Sequence, residues 1–192
     1  WRESPERMNP GNKKNNINNI TKLVSSSSKQ SLNKISKIYR SVIKAKVFEC
    51  KSLKVAEAAK IIENTQRDLN ISLMNEFTII CRKLNINVND VLEAASTKWN
   101  FLNFKPGLVG GHCIGVDPYY LTYKAKKIGI NPKVVLAGRK VNDSMVKYFS
   151  NYFLKILKKE NKKNSFSILI LGATFKENIS DIRNSKILDL GR

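Results

Sequence analysis

The chain has 192 residues, 42% of them apolar, and its 35 Lys and Arg against 15 Asp and Glu give a net charge of +20. That apolar share argues against a disordered polyelectrolyte and suits one folded domain or parts of two. The basic residues are spread along the chain without an aromatic-basic motif, so the charge reads as a Lys-rich composition bias rather than a nucleic-acid footprint.

No apolar run approaches the ~20 residues that span a bilayer, and no signal peptide is visible. Three widely spaced cysteines, Cys50, Cys81 and Cys113, fit a reducing compartment better than a disulfide framework, so a cytoplasmic location is expected. The chain starts at Trp1 and stops at Arg192 just after an apolar segment begins, and it reads as a piece of a longer protein.

Residues 1–18, with Ser4-Pro5-Glu6 and Asn9-Pro10-Gly11, read as loop. Ile20 to Val24 suits a short strand, and the serine run Ser25–Ser28 a loop ending in a helix N-cap. Leu32, Ile35, Ile38, Val42 and Ile43 then recur at helical spacing across residues 29–44, and Lys46 to Cys50 reads as a second strand. This β-α-β rhythm predicts the tail of an α/β domain.

From Ser52 to Leu84 there is neither Gly nor Pro. Leu53, Ala56, Ala59, Ile62, Leu69, Leu73, Phe77 and Ile80 return mostly at three- and four-residue steps, predicting one long helix with an apolar face. Such a rod commonly serves as a scaffold or a dimer seam. Asn85 and Asn87 break it, and Asn89-Asp90 is expected to cap a short helix over residues 91–96.

Residues 97–118 look irregular. A helix is predicted from Pro118 to Ile128 with Asp117 as its cap, and another over residues 132–159, weakened at Gly138 with a fresh start at Asn142-Asp143-Ser144. Lys158 to Asn164 reads as a charged linker. Ser167 to Leu171, an unbroken apolar run before Gly172, reads as a buried parallel strand, followed by a helix from Lys186. The predicted fold class is therefore a multidomain α/β fragment. Its parts are the end of one α/β domain (1–51), a central all-α domain (52–160) and the start of a second α/β domain (165–192).

Chemistry concentrates at Gly110-Gly111-His112-Cys113-Ile114-Gly115-Val116-Asp117-Pro118. A lone cysteine is usually inert core. Here two glycines permit a close approach or a positive-φ turn, and a helix begins a few residues later. A thiol ahead of helical N–H groups is suited to ionise, and the thiolate is the nucleophile. The neighbouring His112 is poorly placed for a Cys–His pair, and no CxxC or HxxxH set completes a metal site. Lys60 and Asn64 share a helix face four residues apart: either a solvated edge, or an ammonium and an amide able to support an oxyanion.

Several stretches carry a family resemblance: Ser4-Pro5-Glu6-Arg7-Met8-Asn9-Pro10-Gly11, the run from Lys54 to Asn70, Lys98-Trp99-Asn100-Phe101, Pro106 to Thr122, and Leu171 to Asn178. Together they resemble the UDP-glucose/GDP-mannose dehydrogenase family, in particular the UDP-N-acetylhexosamine 6-dehydrogenases of bacterial surface-polysaccharide pathways. His112 before the cysteine and Ile114-Gly115-Val116 after it are similar to that branch rather than the UDP-glucose branch.

The resemblance implies the end of an N-terminal NAD-binding Rossmann domain, a central helical dimerisation domain, and the start of a Rossmann-like UDP-binding domain. It implies NAD as cofactor, a UDP-sugar as substrate, a homodimer through the long helix, and neither nucleic acid, membrane nor metal. It implies two successive oxidations of a sugar C6 alcohol to a uronate, with Cys113 forming a thiohemiacetal and then a thioester. Lys60 and Asn64 match the groups that support the oxyanion, Asp117 the one that activates water or shuttles a proton, and Glu6 the one that assists thioester hydrolysis. Leu102, Phe104, Gly107, Gly110 and Gly111 match the substrate-wrapping loop, Lys176 a substrate contact, and Arg183 a cofactor contact. Arg139 reads either as a helix-surface arginine or as one reaching a substrate carboxylate across a dimer interface. The dinucleotide glycine fingerprint is absent from these residues, so the piece alone is expected to be inactive. The competing readings are a non-catalytic dimerisation and sugar-nucleotide-binding remnant, a UDP-glucose 6-dehydrogenase, and a basic nucleic-acid module resting on charge alone.

Overall fold

In the computed structural model, residues 1–8, 15–160 and 167–190 are described. The chain forms two compact units. The first holds Trp1–Asn64 with Glu177–Ile179, the second Thr65–Lys176 with Ser180–Arg192.

In the first unit, strand β1 (Arg2–Glu3) lies antiparallel to β2 (Lys22–Ser26), and β2 lies parallel to β3 (Val47–Glu49), in the order β1-β2-β3. A parallel pair needs a crossover, and helix α1 (Lys29–Val42) supplies it between β2 and β3. Ser28 starts that helix, its hydroxyl accepting the Ser31 N–H at 3.2 Å. Alternation along β2 sorts its side chains to two faces. Val24 packs with Ile43, Val47, Leu32 and Ile35, while Leu23 joins Cys50 and Ala56. Full burial of Val24 contributes roughly 1.5–3 kcal/mol. The strand extends through Ser25 and Ser26 because their backbones pair with Glu3 and Arg2, where the composition suggested loop. Asn9-Pro10-Gly11 lies outside the described residues.

Helix α2 runs unbroken over Leu53–Lys83, and the division between the units falls inside it. Asn85, at φ 56°, takes the left-handed conformation that ends it. Helix α3 (Val88–Ser96) then begins three residues earlier than expected. Its cap is Asn87, not Asn89-Asp90: the Asn87 side-chain oxygen accepts the Asn89 N–H at 3.0 Å.

In the second unit, α4 spans Asp117–Lys127, α5 Lys133–Glu160 and α6 Lys186–Leu190. Asp117 is the first residue of α4 rather than its cap; Val116 holds the cap position without a side-chain hydrogen bond. Helix α5 is continuous through Gly138 and Asn142-Asp143-Ser144. A Cβ on Gly138 would lie 2.4 Å from Leu69 Cδ2 and 2.9 Å from Ser72 Oγ, so the glycine permits α2 and α5 to touch and does not mark a break. Lys158 and Lys159 extend α5 instead of starting a linker, and residues 161–166 lie outside the described residues.

The buried face of α2 in the second unit is largely polar. Thr65, Asp68, Ser72 and Asn75 are buried beside Met74 and Cys81, while the apolar Leu73 and Ile80, and Leu84 just past the helix, are exposed. The periodicity is helical as expected, but the apolar stripe divides: Ala56 is buried with Leu23 and Cys50 and Leu69 meets Gly138, while Ile62, Leu73 and Ile80 face outward. Ser167 to Leu171, expected as a buried parallel strand, forms none. A strand exists only through its neighbours, and no described strand pairs with this one. Ile168, Leu169 and Ile170 instead line an apolar cavity of about 760 Å³ with Phe153, Leu154 and Leu157 of α5.

Candidate active site

Cys113 sits in the turn that leads into α4, half-buried, whereas Cys50 and Cys81 are buried. Its carbonyl accepts the N–H of Val116 at 3.0 Å and of Asp117 at 2.8 Å. Thiol and carboxylate residues therefore stand one turn apart at the start of α4, where peptide N–H groups gather positive potential.

The double glycine before Cys113 serves a close approach of chain. Gly111 has φ +83° and donates its N–H to the Asn184 carbonyl at 3.1 Å. A Cβ there would stand 2.8 Å from the Phe175 ring, and one on Gly110 would stand 2.5 Å from the Asn184 oxygen. His112 turns edge-on to Phe175, ring centroids 5.7 Å apart, and holds Nδ1 3.7 Å from Asp181. The Arg183 guanidinium donates to both Asp181 oxygens and holds that carboxyl at a pKa of about 2. So Arg183, expected near a cofactor, is engaged with a carboxylate two residues away in its own loop. Leu102 is exposed, Phe104 half-buried, and Lys176 half-buried with its carbonyl accepting from Thr174 Oγ1.

Lys60 and Asn64 stand one turn apart on α2 in the first unit, Lys60 half-buried and Asn64 buried. Glu6, in the same unit, accepts the N–H groups of Arg7 and Met8 at 2.7 Å each and faces Lys22 Nζ at 3.6 Å. Burial pushes its carboxyl up, but those donors and the ammonium outweigh it, leaving the pKa below its ordinary value. The structure thus gathers Glu6, Lys60 and Asn64 in one unit, and the loop residues 102–117 with Lys176 and Arg183 in the other.

Sequence reasoning missed a buried polar network under the loop. Asp68 Oδ1 accepts from Arg139 Nη1 and Asn142 Nδ2, both at 2.7 Å. Asn142 Oδ1 accepts from Asn75 Nδ2 at 2.8 Å. Asn75 also binds the Gly107 peptide twice, accepting its N–H at 2.8 Å and donating to its carbonyl at 2.9 Å. Asp143 accepts from both Arg139 and the Tyr119 hydroxyl. Burial lifts the Asp68 carboxyl above its usual range against the opposing pull of Arg139 and Asn142. Arg139, 3% exposed, is a buried ion-pair partner rather than a helix-surface residue, and both its terminal nitrogens are occupied. Polar residues recurring at 65, 68, 72 and 75 were the available signal. Beside this network a cavity of about 440 Å³ with a mixed polar and apolar lining opens between Gly110, Gly115, Tyr119, Arg139 and Lys186.

Among the described residues no cluster of His, Cys, Asp and Glu is able to hold a metal, and no helix is long and apolar enough to cross a membrane. Residues 54–144 match the UDP-glucose/GDP-mannose dehydrogenase family, central domain. Over 188 residues the chain is 55% identical to the UDP-N-acetyl-D-glucosamine 6-dehydrogenase of Salmonella typhi. The chain belongs to the UDP-glucose/GDP-mannose dehydrogenase family. The alignment with that dehydrogenase covers 97% of this chain and 44% of the relative, so the chain spans less than half the length of the family members it matches. Protein CapL of Staphylococcus aureus is likewise 55% identical, with the same coverage. The solved UDP-D-ManNAc dehydrogenase of Pyrococcus horikoshii superposes with a TM-score of 0.88 at 31% identity, covering 98% of this chain and 45% of that one. These family members are multidomain nucleotide-sugar dehydrogenases, and this stretch is mostly helical with a small sheet.

Proposed function

We propose that this chain is part of an NAD-dependent UDP-N-acetylhexosamine 6-dehydrogenase that converts the C6 alcohol of its sugar to a carboxylate in surface-polysaccharide synthesis. The observation that carries the reading is the half-buried Cys113 thiol one turn before the start of α4, on a glycine turn, in a chain 55% identical to an enzyme named for that reaction. Residues 1–51 are then the end of the NAD-binding Rossmann domain, 52–160 the central domain, and 165–192 the beginning of the UDP-binding domain. The enzyme works in the cytoplasm.

NAD, when bound, takes up the hydride at each oxidation. The chain has no glycine-rich dinucleotide turn, and Arg183 is closed onto Asp181, so the described residues do not form a dinucleotide site by themselves. The cofactor is held chiefly by residues other than these.

The Cys113 thiolate adds to the carbonyl carbon of the C6 aldehyde. A C–S bond forms, and the carbonyl π pair moves to oxygen, where the Lys60 ammonium and Asn64 amide support it. The adduct is tetrahedral and retained, which suits it to a second oxidation to the thioester. Water then attacks the thioester carbon and surrenders a proton to Asp117, with Glu6 assisting. The C–S bond breaks, its electron pair returns to Cys113 as thiolate, and the carboxylic acid that leaves ionises to the carboxylate, giving its proton to solvent. The loop residues Leu102, Phe104, Gly107, Gly110 and Gly111 and the Lys176 amine enclose the UDP-sugar.

The reading extends to a homodimer through α2. Its supporting observation is the pair of exposed apolar residues Leu73 and Ile80 on α2, with Leu84 just past its end, away from the largely polar buried face. The experiment is an assay of the full-length protein with NAD and UDP-N-acetylglucosamine, UDP-N-acetylmannosamine or UDP-glucose. Two NADH per N-acetylhexosamine support the reading. Preference for UDP-glucose moves the protein to that branch, and NADH from none of the three leaves the non-catalytic remnant.

A further inference from the structure

The loop that carries Cys113 is anchored by hydrogen bonds at Gly107. A Cβ there would meet nothing within 4 Å, so nothing packs on that side of the glycine. Its peptide is fixed instead by the Asn75 amide, which takes the Gly107 N–H at 2.8 Å and gives to the Gly107 carbonyl at 2.9 Å. The amide cannot turn over, because its second N–H is given to Asn142 Oδ1 at 2.8 Å. Asn142 in turn gives to Asp68, which also holds Arg139.

The same network reaches the other end of the loop. Arg139 and the Tyr119 hydroxyl share Asp143, and the Arg139 guanidinium lies over the Tyr119 ring, 5.2 Å from its centroid. Tyr119 is in the first turn of α4, and that turn is joined to Cys113 through the Asp117 N–H. Asn75, Asp68, Asn142 and Arg139 are each buried, in the low-dielectric setting where such bonds are strong and their loss is costly.

We infer that Asn75 is a positioning residue for the Cys113 chemistry, setting the loop from Gly107 to Cys113 through its paired hydrogen bonds to the Gly107 peptide. Asn142 and Asp68 hold the Asn75 amide in register, so these residues and Arg139 act as one unit. The inference rests on the dehydrogenase reading for its consequence in turnover, but not for its consequence in loop mobility.

The test is made in the full-length protein. Asn75→Ala removes all three bonds, and Asn75→Asp keeps an acceptor for Gly107 while losing both donations. Amide hydrogen exchange at residues 107–113 is expected to rise at least tenfold in either variant, with one cooperative melting transition retained. With NAD and the UDP-N-acetylhexosamine turned over by the unaltered protein, kcat is expected to fall at least tenfold while the KM for NAD stays within twofold. Adding Asn142→Ala is expected to deepen the loss by less than threefold, as for a shared network. Unchanged exchange in the loop overturns the inference, as does raised exchange with kcat within twofold of the unaltered protein. If both Asn75 variants fail to fold, Asn75 is a folding element and the inference also fails. Absence of turnover by the unaltered protein defeats the dehydrogenase reading instead, and loop exchange still decides whether Asn75 holds Gly107.

Discussion

Gly138 of α5 stands against Leu69 of α2 so closely that one added carbon would lie 2.4 Å from Leu69 Cδ2. Gly138→Ala gains about 1 kcal/mol of helix propensity. Against this, overpacking a helix contact costs about 1–3 kcal/mol, and the added carbon would also stand 2.9 Å from Ser72 Oγ, a second neighbour that must give way. Gly138→Ala is expected to be destabilising by about 1 kcal/mol. Gly138→Val, larger and with less of the propensity gain, is expected to cost roughly 3 kcal/mol. Urea unfolding of the full-length protein measures both, and a stabilised Val variant contradicts the contact.

The two glycines before Cys113 are expected to respond for different reasons. Gly110→Ala meets a backbone oxygen, which cannot rotate away, so the Asn184 segment must move. Gly111→Ala meets the Phe175 ring and also carries a strained φ of +83°. Adding Phe175→Ala relieves the ring contact but not the backbone strain. The double variant is therefore expected to recover only part of the stability lost in Gly111→Ala, read from melting temperatures. Full recovery shows that the ring contact alone matters.

Cys113→Ser exchanges the nucleophile for a hydroxyl of similar size at a half-buried position. Uronate formation is expected to fall by roughly 10³-fold or more with the melting temperature within a few degrees of the unaltered protein. Turnover near that of the unaltered protein discards the thioester route.

Asp181 is expected to titrate far below an ordinary carboxylate. Hydrogen bonds from Arg183 hold it at about 2. A lowered carboxyl pKa favours the folded state above the unfolded value of about 4, and that contribution fades as pH falls toward about 2. The pair is exposed, so salt weakens it and its effect on stability is small. NMR titration of the Asp181 carboxyl carbon measures the midpoint, and Arg183→Ala is expected to raise it toward about 4.

The outward stripe on α2 predicts an assembly defect on charge insertion. Leu73→Glu with Ile80→Glu places two carboxylates on an exposed apolar surface without touching the buried polar face. Sedimentation is expected to show a dimer for the unaltered protein and a monomer for the variant, with helix content retained by circular dichroism. A dimer that survives both changes places the seam elsewhere.

Much of the chain's order was legible. The apolar return in α1 and α2, the breaks at Asn85 and Asn87, and the glycine turn before Cys113 are local facts. Hydrogen-bond geometry and backbone sterics act over a few residues, so spacing reveals them. The cysteine turn also stood out because reactive thiols need a particular backbone setting, and that setting is written in Gly110, Gly111 and the start of α4.

What tertiary structure alone decided is which surfaces meet. Periodicity groups Leu73 with Ile80 but does not say that their side faces outward, because that depends on what packs against the opposite face. Gly138 has a weak helix propensity in isolation and a required place beside Leu69. Ser167 to Leu171 has the composition of a strand and no described partner to make it one. Asn75 and Gly107 are 32 residues apart, and their hydrogen bonds exist only once α2 and the loop are brought together. Short-range forces write local conformation into the sequence; burial and pairing arise between distant segments, and only the folded chain assigns them.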